Sequence, residues 1–137
     1  MNLNDQELVT GEVTKSIAQC RNLKVLDLTG CKGIDEMGMQ NMIKGYLPQK
    51  DTAEKLTIVG LQQLEQLKLN NLDKIYDSSV VNIMRNCPML THLELNKCEN
   101  MTDFLFEAIT VQKVAPKLKY LDINMIKNFK PEPLEEF

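Results

Sequence analysis

Two stretches decide the fold: CRNLKVLDLTGC at residues 20–31 and CPMLTHLELNKC at residues 87–98. Each has a cysteine at both ends. Leucines fall at the same interior offsets, Leu23, Leu26 and Leu28 in one and Leu90, Leu93 and Leu95 in the other. The pattern L-x-x-L-x-L returns twice more, as LEQLKL at 64–69 and, with isoleucine last, as LKYLDI at 118–123. Leu67 and Leu93 stand 26 residues apart, and Leu93 and Leu121 stand 28 apart. Leu26 and Leu67 are separated by 41, one repeat plus an insertion. A period of this size marks stacked units, none of which can bury its apolar face alone.

A second pattern follows each ladder. Ile34, Met39 and Met42 come after the first, Ile75, Val80 and Ile83 after the second, and Met101, Phe106 and Ile109 after the third. The apolar spacing changes there from two to nearly four, which predicts strand, tight turn and helix in each unit. Asp35, Asp77 and Thr102 stand where a side-chain oxygen can accept the free N–H groups of a helix start. The helices are expected to end near Cys87-Pro88 and Ala115-Pro116, because proline cannot continue them.

The cysteine-flanked ladders, CRNLKVLDLTGCKGIDEMG and CPMLTHLELNKCENMTD, resemble the cysteine-containing leucine-rich repeat, a family best known from F-box/leucine-rich-repeat proteins and relatives without an F-box. The resemblance covers about residues 8–126. It implies an α/β fold: a short solenoid of about four repeats, with parallel strands on a concave face and helices on a convex one. The repeats fall near 20–43, 61–86, 87–114 and 115–137, with an insertion at about 44–60, all within one domain spanning 1–137. In the insertion, Pro48 and the polar run QKDT argue for a loop. Asp51 or Thr52 can cap a short helix there, and LTIVG reads equally as an extended segment. The second and fourth repeats depart from the pattern: Leu72 and Ile126 replace the second cysteine, and Leu61 and Ala115 the first.

Those replacements bear on what the cysteines are for. A position that accepts leucine or isoleucine wants an apolar filler, and free cysteine is among the most buried residue types. The alternative is metal. No C-x-x-C occurs and His92 is the sole histidine, so a four-ligand site would need cysteines from different repeats. Packing is therefore the expected role, with no metal and no cofactor. Catalysis has as little support. A nucleophile–base pair would rest on His92 alone, and no phosphate-cradling glycine motif is present. The chain is not expected to be an enzyme.

The bulk chemistry narrows the partner. Net charge is −3, and lysines and arginines are scattered, so neither a nucleic-acid surface nor an anionic-membrane surface is expected. No apolar stretch approaches a membrane span, and the acidic start MNLNDQELVTGEV lacks the h-region of a secretory signal. These features point to the cytoplasm, and the family resemblance implies the cytoskeleton or axoneme as a variant. Partners are then other proteins. Because side chains alternate along a strand, burying Leu26 and Leu28 turns Val25, Asp27 and Thr29 outward. The same rule turns out Gln66, Lys68 and Asn70, then His92, Glu94 and Asn96, then Tyr120, Asp122 and Asn124. Asp27, Lys68, His92, Glu94, Tyr120 and Asp122 are the candidate partner-binding residues. The chain opens with what reads as only the helical half of a repeat, Val9, Val13 and Ile17 on one face, and with no strand before it. Neither end looks like a polar cap, so partner chains or further repeats are expected to cover both. The resemblance implies a non-catalytic interaction or scaffold module of a larger assembly, with axonemal structural subunits as one setting. Its alternative implication is the substrate-recognition part of an SCF-type ubiquitin ligase, although no F-box-like segment precedes the repeats here.

Overall fold

The computed structural model describes residues 1–6, 9–43 and 61–124. The insertion at 44–60, Ile126 and the proline-bearing FKPEPLEEF stretch lie outside them. Four three-residue strands, β1 (Val25–Asp27), β2 (Gln66–Lys68), β3 (His92–Glu94) and β4 (Tyr120–Asp122), form one parallel sheet in sequence order. Helix α1 (Gly11–Ile17) precedes β1, and α2 (Glu36–Ile43), α3 (Asp77–Asn86) and α4 (Asp103–Thr110) follow the first three strands. Each helix packs on the next in the same order. This is the repeating strand–turn–helix unit that the two apolar periods imply.

The register follows from the ladders. Leu26, Leu67, Leu93 and Leu121 stand side by side across the sheet. The first three are fully buried, with Leu28, Leu69 and Leu95 beside them. They pack against Met39 and Met42 of α2, Val80 and Ile83 of α3, and Leu105 and Ala108 of α4. Leu121 and Ile123 are only half-buried, because β4 has a described strand on one side alone. Each unit donates to the carbonyls of the next: Leu28 N to Lys68 O at 2.9 Å, Leu69 N to Glu94 O at 2.9 Å and Leu95 N to Asp122 O at 2.7 Å.

At the other edge the structure corrects one expectation. A strand-like segment does precede α1. Asn2 bridges Asp27 in parallel, Leu3 N donates to Asp27 O at 2.8 Å, and Asp27 N donates to Met1 O at 2.9 Å. Residues 1–5 therefore cover the edge of β1 as a preceding repeat would. The stretch is short: Leu3-Asn4-Asp5 corresponds to Leu69-Asn70-Asn71 and Leu95-Asn96-Lys97, but carries a single ladder leucine.

The turns after the N-terminal segment, β1, β2 and β3 use left-handed backbone. Asp5, Gly30, Asn71 and Lys97, at equivalent places, have φ of 57°, 76°, 59° and 62°. Gly30 also lies close to the preceding turn. A Cβ built there would come within 1.9 Å of Asp5 Oδ1 and 3.4 Å of Asp5 Cα. Gly30→Ala is expected to lower stability by about 1–2 kcal/mol in urea unfolding, combining left-handed strain with displacement of Asp5. In an Asp5→Gly background the same change should be milder. An unchanged loss there would show that backbone conformation alone sets it.

The helix starts divide in two. Asp35 Oδ1 accepts Gly38 N at 2.9 Å, and Thr102 Oγ1 accepts Phe104 N at 3.3 Å, as local caps. Asp77 does not cap its own helix. It sits inside the first turn of α3, behind Tyr76, and reaches the next repeat, where Oδ1 accepts Thr102 N at 2.8 Å and Oδ2 accepts the Thr102 hydroxyl. Glu36, at the equivalent place in α2, reaches the backbone N–H of Tyr76 in the same manner. Helix α4 ends at Thr110, short of Ala115-Pro116. Thr110 Oγ1 bonds back to Phe106 O at 2.8 Å, and Lys113 turns the chain with φ of 51°.

Burial raises the Asp77 pKa above the usual carboxylate value, against the pull of both bonds from Thr102. An acid whose folded pKa is raised binds its proton more tightly in the folded state. The stability it contributes is full below the unfolded value of about 3.9 and is lost as pH rises through the folded one. Asp77→Asn keeps an acceptor for Thr102 N and removes the titration. Relative to wild type, the variant should gain stability between about pH 4 and pH 7. Denaturant midpoints across that range check this, and a constant difference would refute it.

Candidate functional site on the outward face of the sheet

The parallel register carries the alternation rule from one strand to four. Val25, Gln66, His92 and Tyr120 form one outward row, and Asp27, Lys68, Glu94 and Asp122 form the next. Thr29, Asn70, Asn96 and Asn124 continue the face just past the strands. All six candidate residues thus lie on one surface. Asp27 and Tyr120 sit on its opposite outer strands.

Glu94 is the hub of this surface. Its Oε2 accepts the His92 Nε2–H at 2.7 Å and faces Lys68 Nζ at 3.8 Å, while its Oε1 accepts Asn70 Nδ2 at 2.9 Å. Only 17 % of its side chain is exposed. Burial pushes its pKa up, but the bonds from His92 and Asn70 and the charge of Lys68 outweigh burial and hold it below the usual value. Alternation alone implies a freely exposed charge at Glu94. The structure replaces that with a half-buried carboxylate whose partners converge from two strands and the turn after β2. Reversing Glu94 would break the surface itself, so it is a poor probe of partner contact.

Tyr120 is positioned through His92. The two rings stack with centroids 4.3 Å apart and an 8° interplanar angle. Tyr120 nevertheless remains 47 % exposed. Its hydroxyl lies 3.4 Å from Asp122 Oδ2, and the negative charge of Asp122 raises its pKa. Asp122 Oδ1 accepts Asn124 Nδ2 at 2.7 Å. Asp27 accepts the N–H of Thr29 at 3.0 Å. Among the described residues neither Asp27 nor Asp122 has an ion-pair partner.

The asparagine row forms a ladder that spacing did not disclose. Asn70 Oδ1 accepts Asn96 N at 2.9 Å, and Asn96 Oδ1 accepts Asn124 N at 2.6 Å. Asn70 Nδ2 also reaches Thr29 Oγ1 at 3.2 Å. These amides tie one repeat to the next under the outward face, leaving the first two rows as contact surface.

The cysteines lie away from this face. Cys31 and Cys98 are buried, and each thiol donates to the carbonyl at the end of the preceding strand, Leu3 O and Leu69 O, both at 2.9 Å. Burial raises the pKa of both, and that of Cys87 reaches about 12. Such thiols stay protonated and are poor nucleophiles. Leu72 fills the place of Cys31 and Cys98 in the second repeat and is equally buried. Among the described residues no group of three or more His, Cys, Asp or Glu could hold a metal ion. No described helix is long and apolar enough to cross a membrane.

Residues 19–42 match a family model described as Leucine Rich repeat. The fold is similar to that of a chain in the crystal structure of the Rad7–Elc1 complex of yeast, with a TM-score of 0.72 and 18 % identity over 96 % of this chain. The match spans 29 % of that longer chain, and at this identity the likeness is one of fold. Ladder, register and structural likeness agree: the chain carries leucine-rich repeats and folds as a short leucine-rich-repeat solenoid.

Proposed function

We propose that this chain is a non-catalytic protein-interaction module that receives its partner on the outward face of the sheet and serves within a larger assembly. The observation that carries this reading is the pre-positioned Tyr120. It is half exposed, stacked on His92, and His92 is itself fixed by Glu94. A rigid aromatic side chain with a polar tip loses little freedom on binding and makes a strong contact anchor. Repeat solenoids present such surfaces as extended binding faces. The partner residues are Asp27, Lys68, His92, Tyr120 and Asp122, with Glu94 organising them. An axonemal assembly is one setting that the repeat type supports.

A second reading, recognition of substrates for an SCF-type ubiquitin ligase, rests on the family resemblance and on the fold similarity to a chain crystallised in a protein complex. Recovery of the adaptor subunit of such ligases in a pull-down would favour it.

Cross-linking mass spectrometry on native material identifies the partner. Tyr120→Ala should then weaken binding by about 1–3 kcal/mol, whereas Glu107→Lys, on the exposed side of α4, should leave it unchanged. The reverse outcome would place the binding face on the helices.

A further inference from the structure

Resting on the reading of the outward face as a binding surface, we infer that its β4 end is an arginine cradle: the open face of Tyr120 and the carboxylate of Asp122 take a guanidinium from a partner polypeptide.

The geometry is specific. One face of the Tyr120 ring is occupied by His92, stacked at 4.3 Å. The ring is still 47 % exposed, and β4 is the last strand in the sheet order, with no described strand beyond it. His92 thus covers one ring face, and the rest of the ring is open to solvent. Asp122 is two residues along the same strand on the same face, its Oδ2 3.4 Å from the Tyr120 hydroxyl. A planar cation laid on the ring can direct its N–H groups to that carboxylate. This combination of aromatic face and in-plane acceptor suits guanidinium better than a compact ammonium.

Charge complementarity supports the same occupant. The middle row holds three carboxylates and one cation, and the cation, Lys68, lies 3.8 Å from the Glu94 carboxylate. Asp122 has no ion-pair partner among the described residues. The charge of Asp122 first, and that of Glu94 after it, raises the pKa of the Tyr120 phenol. Lys119, although adjacent in sequence, lines a cavity with Ile109, Thr110 and Lys113 on the helix side of the strand. It does not neutralise the outward row. The imidazole bonded to Glu94 keeps the platform from rotating away. A flexible tyrosine would lose part of any stacking gain to ordering.

The test uses the full chain, isotope-labelled for NMR. The probes are three capped pentapeptides, Gly-Ser-Xaa-Ser-Gly, in which Xaa is arginine, citrulline or lysine. Citrulline keeps the planar shape and removes the charge. The arginine peptide should give saturable shifts at the Tyr120 ring and the Asp122 amide. Its affinity should exceed that of the citrulline peptide by about ten-fold and that of the lysine peptide by a smaller factor. Tyr120→Leu and Asp122→Asn should each weaken the arginine peptide about five-fold or more, with unchanged amide spectra elsewhere showing that the fold persists. Salt should weaken binding as well. Equal affinities for arginine and citrulline peptides would overturn the cradle. So would no saturable shift at Tyr120 up to the solubility limit, or shifts confined to helix carboxylates such as Glu12 and Glu107. In any of those cases the outward-face reading stands or falls separately, on whether Tyr120→Ala weakens the cross-linked partner.

Discussion

Leu93→Ala should lower the unfolding free energy by about 2–5 kcal/mol. Leu93 is fully buried in β3, with Leu67 and Leu121 in register on either side and the α3 and α4 side chains beneath. Truncation removes contacts to two neighbouring repeats at once, and the hydrogen-bonded strands hold the walls of the cavity apart. Leu121→Ala, at the same place in β4, should be milder. Leu121 is only half-buried and lacks a described neighbour on its far side. Urea unfolding of both variants beside wild type decides the matter. Equal losses would mean that the β4 side is covered as completely as the middle of the sheet.

Cys98→Ala comes next, at about 1–3 kcal/mol. The sulfur is wholly buried, and its proton is donated to Leu69 O. Alanine leaves both a void and a buried carbonyl with one bond fewer. Cys31→Ala, which frees Leu3 O, should behave alike. In the folded wild type, Cys87 and Cys98 should resist a thiol reagent until denaturant is added, because burial keeps both protonated. Stoichiometric zinc in the purified wild type, lost in the alanine variants, would defeat this packing account.

The ladders made the fold readable because two periodicities coincide in them. Alternation within L-x-L assigns each strand residue to a face, and recurrence at 26 and 28 residues assigns the strand neighbours. Leu26, Leu67, Leu93 and Leu121 therefore fall in register as the spacing implies, and Tyr120 falls beside His92. Pairings that cross repeats were not readable. Asp77 looks like a cap for its own helix because capping patterns are local, whereas its actual donor, Thr102, stands 25 residues on. Glu94 looks freely exposed because alternation gives direction and says nothing of which neighbours consume the charge. The segment before α1 was missed for a different reason. Leu3 is the single ladder leucine there, too little for a period to register.

The carboxylates of Glu36 and Asp77, each bonded to the start of the following helix, have a mechanical consequence. A row of strand hydrogen bonds by itself is a hinge, because neighbouring units can fold toward or away from each other about it. Adding a second line of attachment, offset from the first by a turn of chain, converts the hinge into a truss. Flexing one unit against the next then requires stretching a side-chain-to-backbone hydrogen bond as well. The spacing and tilt of the outward rows become elastic constants of the scaffold, and a partner meets a stiff comb rather than a compliant ribbon.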